Sequence, residues 1–208
     1  DYYLGRDGRK LEEDVFRIIK SQAVNTPFNG TIKLISGQKF PDIILNNYYG
    51  VEVKSTTKNH WTTTGNSVLE NTRVDNIERI FIMFGKLATP IEFKFRAYEE
   101  CLSDIVVTHY PRYKIDMNLN EDTIFNKLNV TYDELRIKEN PIKPITEYYK
   151  RNLGPGESLW WVGNDIEDSS APMKIKIINE LTNVEKNNIK LYAFAHFPEL
   201  FGNNNRTK

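Results

Sequence analysis

Several features that define common protein classes are scarce or missing in this sequence. Cys101 is the single cysteine among 208 residues, which excludes an internal disulfide framework and a cysteine-based zinc site. No apolar run approaches the ~18–20 residues needed to span a bilayer, and no charged-then-apolar segment opens the chain as a secretory signal would. The 28 Lys and Arg residues balance the 28 Asp and Glu residues, so no overall basic field points to nucleic acid.

Common nucleotide and hydrolase motifs are missing as well. The chain contains neither the dinucleotide-binding pattern G-x-G-x-x-G nor the phosphate loop G-x-x-x-x-G-K-[ST]. No serine lies in a nucleophile-elbow context. A single cysteine is typical of a reducing compartment. Together these absences predict a soluble cytoplasmic protein, outside the membrane and outside the nucleotide-binding classes.

The order of apolar patterns predicts the fold class. Residues 9–23 place apolar side chains at spacings of three and four, which predicts an amphipathic helix after Asp7-Gly8. Short β-rich runs predict strands at residues 31–35, 42–45, 50–54, 77–87, 91–98 and 105–108. Residues 121–151 predict helices in pieces. This order favours an α/β fold with a mixed central sheet flanked by helices over a regular βαβ series.

Two carboxylates are predicted to meet on neighbouring strands. Alternate residues of a strand share a face, so Glu52 and Lys54 point to one side while Val53 points into the core. If the two runs pair as a hairpin, Asp42 approaches Glu52. Two carboxylates, with the backbone carbonyl of Val53 as a further ligand, form a hard-oxygen site suited to Mg²⁺. Lys54 can then orient a water or stabilise charge on a phosphate, which phosphodiester hydrolysis requires.

A third carboxylate is expected to reach this site from the first helix. Glu12 lies in the helical row that contains Phe16 and Ile19, whereas Glu13 lies in the row of charged residues. A carboxylate on an apolar face is costly unless it is paired or bound to a metal. Glu12 is therefore a candidate to support the metal site. The alternative, a helix-start carboxylate favoured by the helix dipole, suits Glu13 and Asp14 better.

The combination of these residues resembles a known family. Pro41-Asp42, nine residues and then Glu52-Val53-Lys54 is similar to the signature of the PD-(D/E)xK nuclease superfamily, most of all its type II restriction endonucleases. The resemblance covers residues 8–100 approximately, and Gly8-x-x-x-Glu12 fits the local pattern of the family's first helix. It implies a restriction-endonuclease-like core and Mg²⁺-dependent cleavage of DNA. Asp42, Glu52 and Lys54 would be catalytic, Asp42, Glu52 and Val53 would hold the metal, and Glu12 would support them.

The resemblance also implies partners and a domain plan. Type II restriction endonucleases cut double-stranded DNA, and many act as homodimers in the prokaryotic cytoplasm beside a cognate DNA methyltransferase that modifies the same site. On this basis residues 1–208 are expected to form a single nuclease domain. Its catalytic core would span about 8–110, and residues 111–208 would add helices and loops for DNA binding or dimerisation.

Polar and basic segments supply the expected DNA contacts. Residues 55–67 are almost without aliphatic side chains and predict a loop directly after the catalytic strand. Basic, aromatic and amide side chains are suited to phosphates and base edges. The candidates are Lys58, His60, Trp61, Asn66, Arg73, Arg112 and Lys114. A solvated loop is an equal interpretation of residues 55–67.

Three alternatives stay open at this point. The chain could be a nuclease of DNA repair, recombination or unusual DNA structures, or a non-catalytic DNA-binding or assembly module on a nuclease fold. It could also be a generic α/β domain in which Glu52 and Lys54 are an exposed strand pair. A second triplet, Glu92-Phe93-Lys94, lacks a preceding Pro-Asp and is interpreted as an exposed strand face.

Overall fold

A computed structural model of the chain describes residues 2–107, 110–155, 159 and 182–196. The chain divides into two compact units, Asp1–Asp168 and Ser169–Lys208. The predicted catalytic core at about 8–110 lies in the first unit. The described part of the second unit contains one long helix, α5 (Asn183–His196). No described helix is long and apolar enough to cross a membrane.

The first unit contains four α-helices and eight strands within its described residues. The helices are α1 (Gly8–Gln22), α2 (Ile124–Leu128), α3 (Tyr132–Arg136) and α4 (Ile142–Arg151). The strands are β1 (Lys33–Leu34), β2 (Ile43–Leu45), β3 (Tyr49–Thr56), β4 (Thr62–Ser67), β5 (Arg79–Lys86), β6 (Glu92–Ala97), β7 (Leu102–Val107) and β8 (Pro111–Asp116).

A mixed five-stranded sheet forms the centre of this unit. Its strand order is β1-β2-β3-β5-β6. The pair β3–β5 is parallel, and the other three pairs are antiparallel. The prediction of an α/β fold with a mixed sheet and helices is therefore confirmed. Strand β3, which carries Glu52 and Lys54, lies between two partners and is buried from Gly50 to Val53.

The first helix and the first hairpin form as their sequences predict. The side chain of Asp7 accepts a hydrogen bond from the Lys10 amide and caps α1. Leu11 and Val15 of α1 belong to the same buried cluster as Val51 and Val53 of β3. Asn46 and Asn47 both have positive φ angles, 53° and 47°, as a tight turn between antiparallel strands requires. Helix α1 is thereby fixed against the strand that carries the candidate site.

A second, three-stranded sheet corrects two predictions. Residues 55–67 were expected to form a loop, but β3 continues to Thr56 and β4 begins at Thr62. Residues 111–116 were expected to be helix or loop, but they form β8, which pairs with both β4 and β7. Residues 62–67 of β4 carry too little apolar alternation to be recognised as a strand, and their conformation depends on pairing with β8. Residues 111–116 do alternate, and this period of two is the signal that could have identified β8.

Aromatic side chains join the two sheets. Tyr98, which follows β6, is fully buried and contacts Phe40 and Tyr113 with ring centroids 5.2 Å and 6.3 Å away. Its hydroxyl accepts a hydrogen bond from the backbone amide of Asn66 in β4. Tyr132 of α3 also packs on Tyr98, at 5.9 Å. The second sheet is thus anchored to the central sheet by buried contacts.

Candidate active site

The candidate site lies where the pairing of β2 with β3 ends. The last paired residues are Ile43 and Val51, whereas β3 continues to Thr56. Asp42, the residue before β2, lies beside the part of β3 that β2 does not pair with. Its Oδ2 accepts a hydrogen bond of 2.7 Å from the Val53 amide. The amide and carbonyl of a strand residue point to the same side, so the Val53 carbonyl faces the same open edge as Asp42.

The segment before Asp42 is fixed on both sides. The Phe40 amide donates to the Thr72 carbonyl at 3.0 Å, and the Phe40 carbonyl accepts from the Val74 amide at 2.8 Å. The Pro41 ring packs directly over Gly50, where an added Cβ would lie 2.2 Å from the Pro41 Cγ. Only glycine fits at this position. The sequence does not predict this contact, because a glycine near a turn carries no signal of what lies over it.

Glu52 brings a second carboxyl group to Asp42. Glu52 is only 6% exposed, and its Oε1 lies 2.6 Å from the Lys54 Nζ. Its Oε2 is buried and has no hydrogen-bond partner among the described residues. Burial, together with a smaller contribution from the adjacent Asp42 carboxyl group, raises the pKa of Glu52 to about 7. Lys54 acts in the opposite direction but does not compensate.

Asp42 responds to the same environment. Burial raises the pKa of the Asp42 carboxyl above its usual range, although the Val53 amide and Lys54 favour the ionised form. Each of the two carboxyl groups acts on the pKa of the other, so the pair favours a state in which one of them carries a proton. Without that proton, two buried negative charges would face one another with only Lys54 beside them. The site therefore holds either a proton or another positive charge.

Glu12 of α1 is close enough to this pair to interact with it electrostatically. It is half-buried and Glu13 is exposed, as expected, but Asp14, expected to be a helix-start carboxylate like Glu13, is buried and pairs with Arg6 and Arg17. Burial raises the pKa of Glu12, Asp42 raises it further, and Lys54 lowers it. These effects place Glu12 within electrostatic reach of Asp42 and Lys54. The Gly8 backbone also meets β3, because an added Cβ there would lie 3.7 Å from the Ser55 Oγ.

The donor set fits a hydrated hard cation better than a fully enclosed metal. Within the described ranges, no three His, Cys, Asp or Glu side chains converge as a complete metal-binding group. Mg²⁺ commonly keeps several waters and takes only one or two protein carboxylates. Asp42, the unpartnered Oε2 of Glu52 and the Val53 carbonyl supply donors of that kind. When Asp42 and Glu52 are both ionised, Lys54 leaves a net negative charge that a divalent cation would offset.

The predicted DNA contacts divide into exposed and internal side chains. Lys58 and His60 are exposed in the connection between β3 and β4. Arg112 and Lys114 are exposed on β8, where they alternate with buried neighbours. These four positions are accessible to a polymeric substrate. Their contact with DNA stays a prediction.

Trp61 and Asn66 are half-buried rather than freely exposed. The Trp61 ring packs on Phe84 with centroids 5.6 Å apart. Two lysines approach its face, Lys86 at 5.3 Å and Lys94 at 4.5 Å from the centroid. The backbone amide of Asn66 donates a hydrogen bond to the Tyr98 hydroxyl. Packing and cation–π contacts account for Trp61 within the fold.

Arg73 is engaged inside the protein, contrary to its expected role on a DNA surface. Its Nη1 lies 2.6 Å from both the Glu70 Oε2 and the Tyr132 hydroxyl, and its Nη2 donates to the Ile77 carbonyl at 2.6 Å. Its side chain is 11% exposed. Because these partners occupy the guanidinium, Arg73 holds the segment that pairs with Phe40 and is not retained as a proposed DNA contact.

The functional assignment rests on the geometry of the site, because comparisons with known proteins supply no family. No protein-family model matches the chain, and no curated protein matches it significantly.

Proposed function

We propose that this protein is a Mg²⁺-dependent endonuclease that hydrolyses DNA phosphodiester bonds. The observation that carries the proposal is the pairing of the buried Asp42 and Glu52 carboxyl groups, with one Glu52 oxygen unpartnered and a single lysine beside them. Such an arrangement is costly for the fold unless a proton or a cation is bound. Perturbed carboxyl pKa values of this kind are typical of functional sites.

The same three donors are proposed to hold the metal. Asp42, Glu52 and the Val53 carbonyl would bind Mg²⁺, which when bound supplies a Lewis acid for a phosphoryl oxygen. The carboxyl pair must lose its proton for this binding, so metal affinity is linked to pH. Lys54, which lies 2.6 Å from Glu52, would present its ammonium group to the attacking water or to the phosphate. Glu12 would orient groups at the edge of the site.

The resemblance to type II restriction endonucleases supports the finer parts of the proposal. A helix with an inward carboxylate, a Pro-Asp beside an open strand edge and Glu-x-Lys on the next strand occur here in that order. We extend the proposal to a restriction-endonuclease-like core, double-stranded DNA as substrate and restriction of foreign DNA in a prokaryotic cytoplasm. A cognate methyltransferase would protect the host site. Lys58, His60, Arg112 and Lys114 are the proposed backbone and base contacts.

A cleavage assay tests this function. The purified chain is incubated with unmethylated plasmid and phage DNA, with Mg²⁺ or with EDTA, beside Asp42→Asn and the exposed control Glu13→Gln. We expect discrete fragments that require Mg²⁺ and Asp42 and that the control retains. Nicks or a smear would contradict restriction while keeping metal-dependent hydrolysis. Intact DNA with every substrate, together with no Mg²⁺-dependent thermal stabilisation, would overturn the proposal.

A further inference from the structure

Glu70, Arg73 and Tyr132 form a buried polar cluster, named here the Arg73 cluster. The Tyr132 hydroxyl donates to the Glu70 Oε1 at 2.5 Å, and the Arg73 Nη1 lies 2.6 Å from both the Glu70 Oε2 and the Tyr132 hydroxyl. Glu70 is 8% exposed and Tyr132 is 7% exposed. The three side chains therefore bind one another inside the protein, although Tyr132 follows Arg73 by 59 residues and Glu70 by 62 residues.

The Arg73 cluster encloses the segment before β2. Arg73 forms an isolated parallel bridge with Phe40, in which the Phe40 amide and carbonyl bond to the residues on either side of Arg73. The Arg73 Nε and Nη2 donate to the Ile77 carbonyl at 3.2 Å and 2.6 Å, which closes a loop over residues 70–77. Ile77 packs at Gly50, where an added Cβ would lie 3.1 Å from the Ile77 Cγ2. This loop thus holds Phe40 through its middle and contacts β3 through its end.

Stability alone does not account for the Arg73 cluster. A buried ion pair loses by desolvation much of what it gains by attraction, so apolar replacements of such pairs are often neutral or stabilising. Glu70 also has a φ of 45°, a left-handed conformation that is unfavourable for a residue with a side chain. The cluster instead supplies direction, because a planar guanidinium forms hydrogen bonds at fixed angles. Backbone strain of this kind is found at segments whose position matters for function.

We propose that the members of the Arg73 cluster are positioning residues that hold Asp42 in the candidate active site. This inference rests on the proposed function, in which Asp42 binds the metal. Asp42 follows Phe40 by two residues, and the intervening Pro41 has its φ fixed by its ring and packs over β3. A displacement of Phe40 is therefore passed on to Asp42. The hydrogen bond from the Val53 amide to the Asp42 Oδ2, which is 2.7 Å long, changes when Asp42 moves.

The inference extends the catalytic unit along the chain as far as α3. Tyr132 lies in α3, within residues 111–208, which were expected to add elements for DNA binding or dimerisation. Its contacts with Arg73 and Glu70 make α3 part of the assembly that places a metal ligand. The Tyr132 ring also packs on Tyr98 and Phe125, with ring centroids 5.9 Å and 5.5 Å away. These aromatic contacts fix the ring that presents the hydroxyl to the cluster.

Cleavage kinetics of two tyrosine variants of the full chain test the inference. Tyr132→Phe removes the hydroxyl that bonds to Glu70 and Arg73 and keeps the packing of the ring. We expect kcat to fall by about 10-fold or more, because small displacements of reacting groups cost up to about 100-fold, while KM for plasmid DNA stays within about twofold. The matched control is Tyr113→Phe, because the buried Tyr113 hydroxyl has no hydrogen-bond partner among the described residues. Equal kcat values for the two variants, or a change in KM alone, would overturn the inference.

The amide resonance of Val53 tests the position of Asp42 without DNA or Mg²⁺. This amide donates to the Asp42 Oδ2, and the chemical shift of its proton follows the length of that hydrogen bond. Tyr132→Phe should move the resonance in ¹H–¹⁵N spectra of the full chain, and Tyr113→Phe should leave it in place. An unmoved resonance in Tyr132→Phe would refute the positioning role even if cleavage falls. A moved resonance in a chain that cleaves no DNA would support the positioning role and contradict only the proposed function.

Discussion

The chain carries a Glu-x-Lys triplet on two strands of the same sheet, and the two surroundings differ. Glu52 and Lys54 lie on β3, enclosed by neighbouring strands, and Glu52 is 6% exposed. Glu92 and Lys94 lie on the edge strand β6, and the Glu92 side chain is 49% exposed. An identical pattern of residue types therefore occurs in a buried and in an open environment. Burial, rather than the pattern, determines the electrostatics of each copy.

The partners of the two triplets differ as much as their exposure. Glu92 forms an ion pair with the buried Lys86, which also donates to the Asn59 side chain. Lys94 is satisfied by Asn118. At β3 the balance is reversed, because Glu52 meets another carboxyl group and shares one lysine with it. Protein groups neutralise the charges of the triplet on β6, whereas the triplet on β3 keeps a buried Glu52 oxygen that has no hydrogen-bond partner among the described residues.

The largest expected difference in cleavage rate is that between variants that remove the charge of Glu52 and of Glu92. Glu52→Gln should reduce Mg²⁺-dependent cleavage by more than about 100-fold, because even groups that only orient a metal ligand contribute about 10- to 100-fold. Glu92→Gln should cleave within about twofold of wild type. Initial rates on plasmid DNA at saturating Mg²⁺ measure both. Loss of cleavage in Glu92→Gln with activity retained in Glu52→Gln would assign the chemistry to β6 instead.

The cleavage rates of the Lys54 and Lys94 variants should differ in the same direction as those of the two glutamate variants. Lys54→Met should lower cleavage by about 10²- to 10³-fold, the effect of removing one positioned charge that stabilises a transition state. Mg²⁺ binding should persist, because Lys54 is not a metal donor, and a Mg²⁺ titration of thermal stability measures this. Lys94→Met should keep its cleavage rate. An equal loss in both lysine variants would mean that the two triplets do not differ in function.

A methyl group at Gly50 should disturb the β3 site without touching a charged residue. Gly50→Ala places a Cβ 2.2 Å from the Pro41 Cγ, so Pro41 and the adjacent Asp42 must move. We expect a loss of stability of about 1–3 kcal/mol and a cleavage rate reduced by about 10- to 100-fold. Gly8→Ala, with its nearest contact at 3.7 Å, is the matched control. Unfolding curves and rates together would show whether Asp42 tolerates the displacement.

The two glutamates of α1 should differ by a smaller amount. Glu12→Gln should lower cleavage by about 10-fold, as expected for a group that supports metal ligands. Glu13→Gln, on the exposed row of the helix, should be silent. Rates measured over a range of Mg²⁺ concentrations separate weaker metal binding from a slower step. Inactivation by Glu13→Gln would contradict the assignment of the helix face.

The pH dependence of stability distinguishes the two glutamates without an activity assay. Burial raises the pKa of Glu52 from 4.5 to about 7, so between these values the folded chain binds more protons than the unfolded chain. The free energy of unfolding should therefore fall by about 1–3 kcal/mol as pH rises through this window. Glu52→Gln should remove that fall, whereas Glu92→Gln should keep it. Urea unfolding at about pH 5 and about pH 8 measures the difference.

Local features were predictable because short segments encode them. The capped helix α1, the Asn46-Asn47 turn and the approach of Asp42 to Glu52 follow from spacing and turn chemistry alone. Strand β4 could not be predicted, since its residues adopt strand conformation by pairing with β8, about 50 residues away, whereas β8 itself carries a readable alternation of apolar and charged residues. Arg73 illustrates the same limit, because the hydrogen bond that it donates to the sequence-distant Tyr132 holds its side chain in the interior.

The sequence by itself determined which residue types could form a metal site and that a turn would bring two carboxyl groups together. The preceding Pro41-Asp42 already distinguished Glu52-Val53-Lys54 from Glu92-Phe93-Lys94, although both triplets contain the same charges. Only the tertiary structure gave the two triplets different surroundings. It buried Glu52 beside Asp42, where desolvation raises the energy of an unpaired charge, and it left Glu92 at an edge where Lys86 and solvent satisfy it.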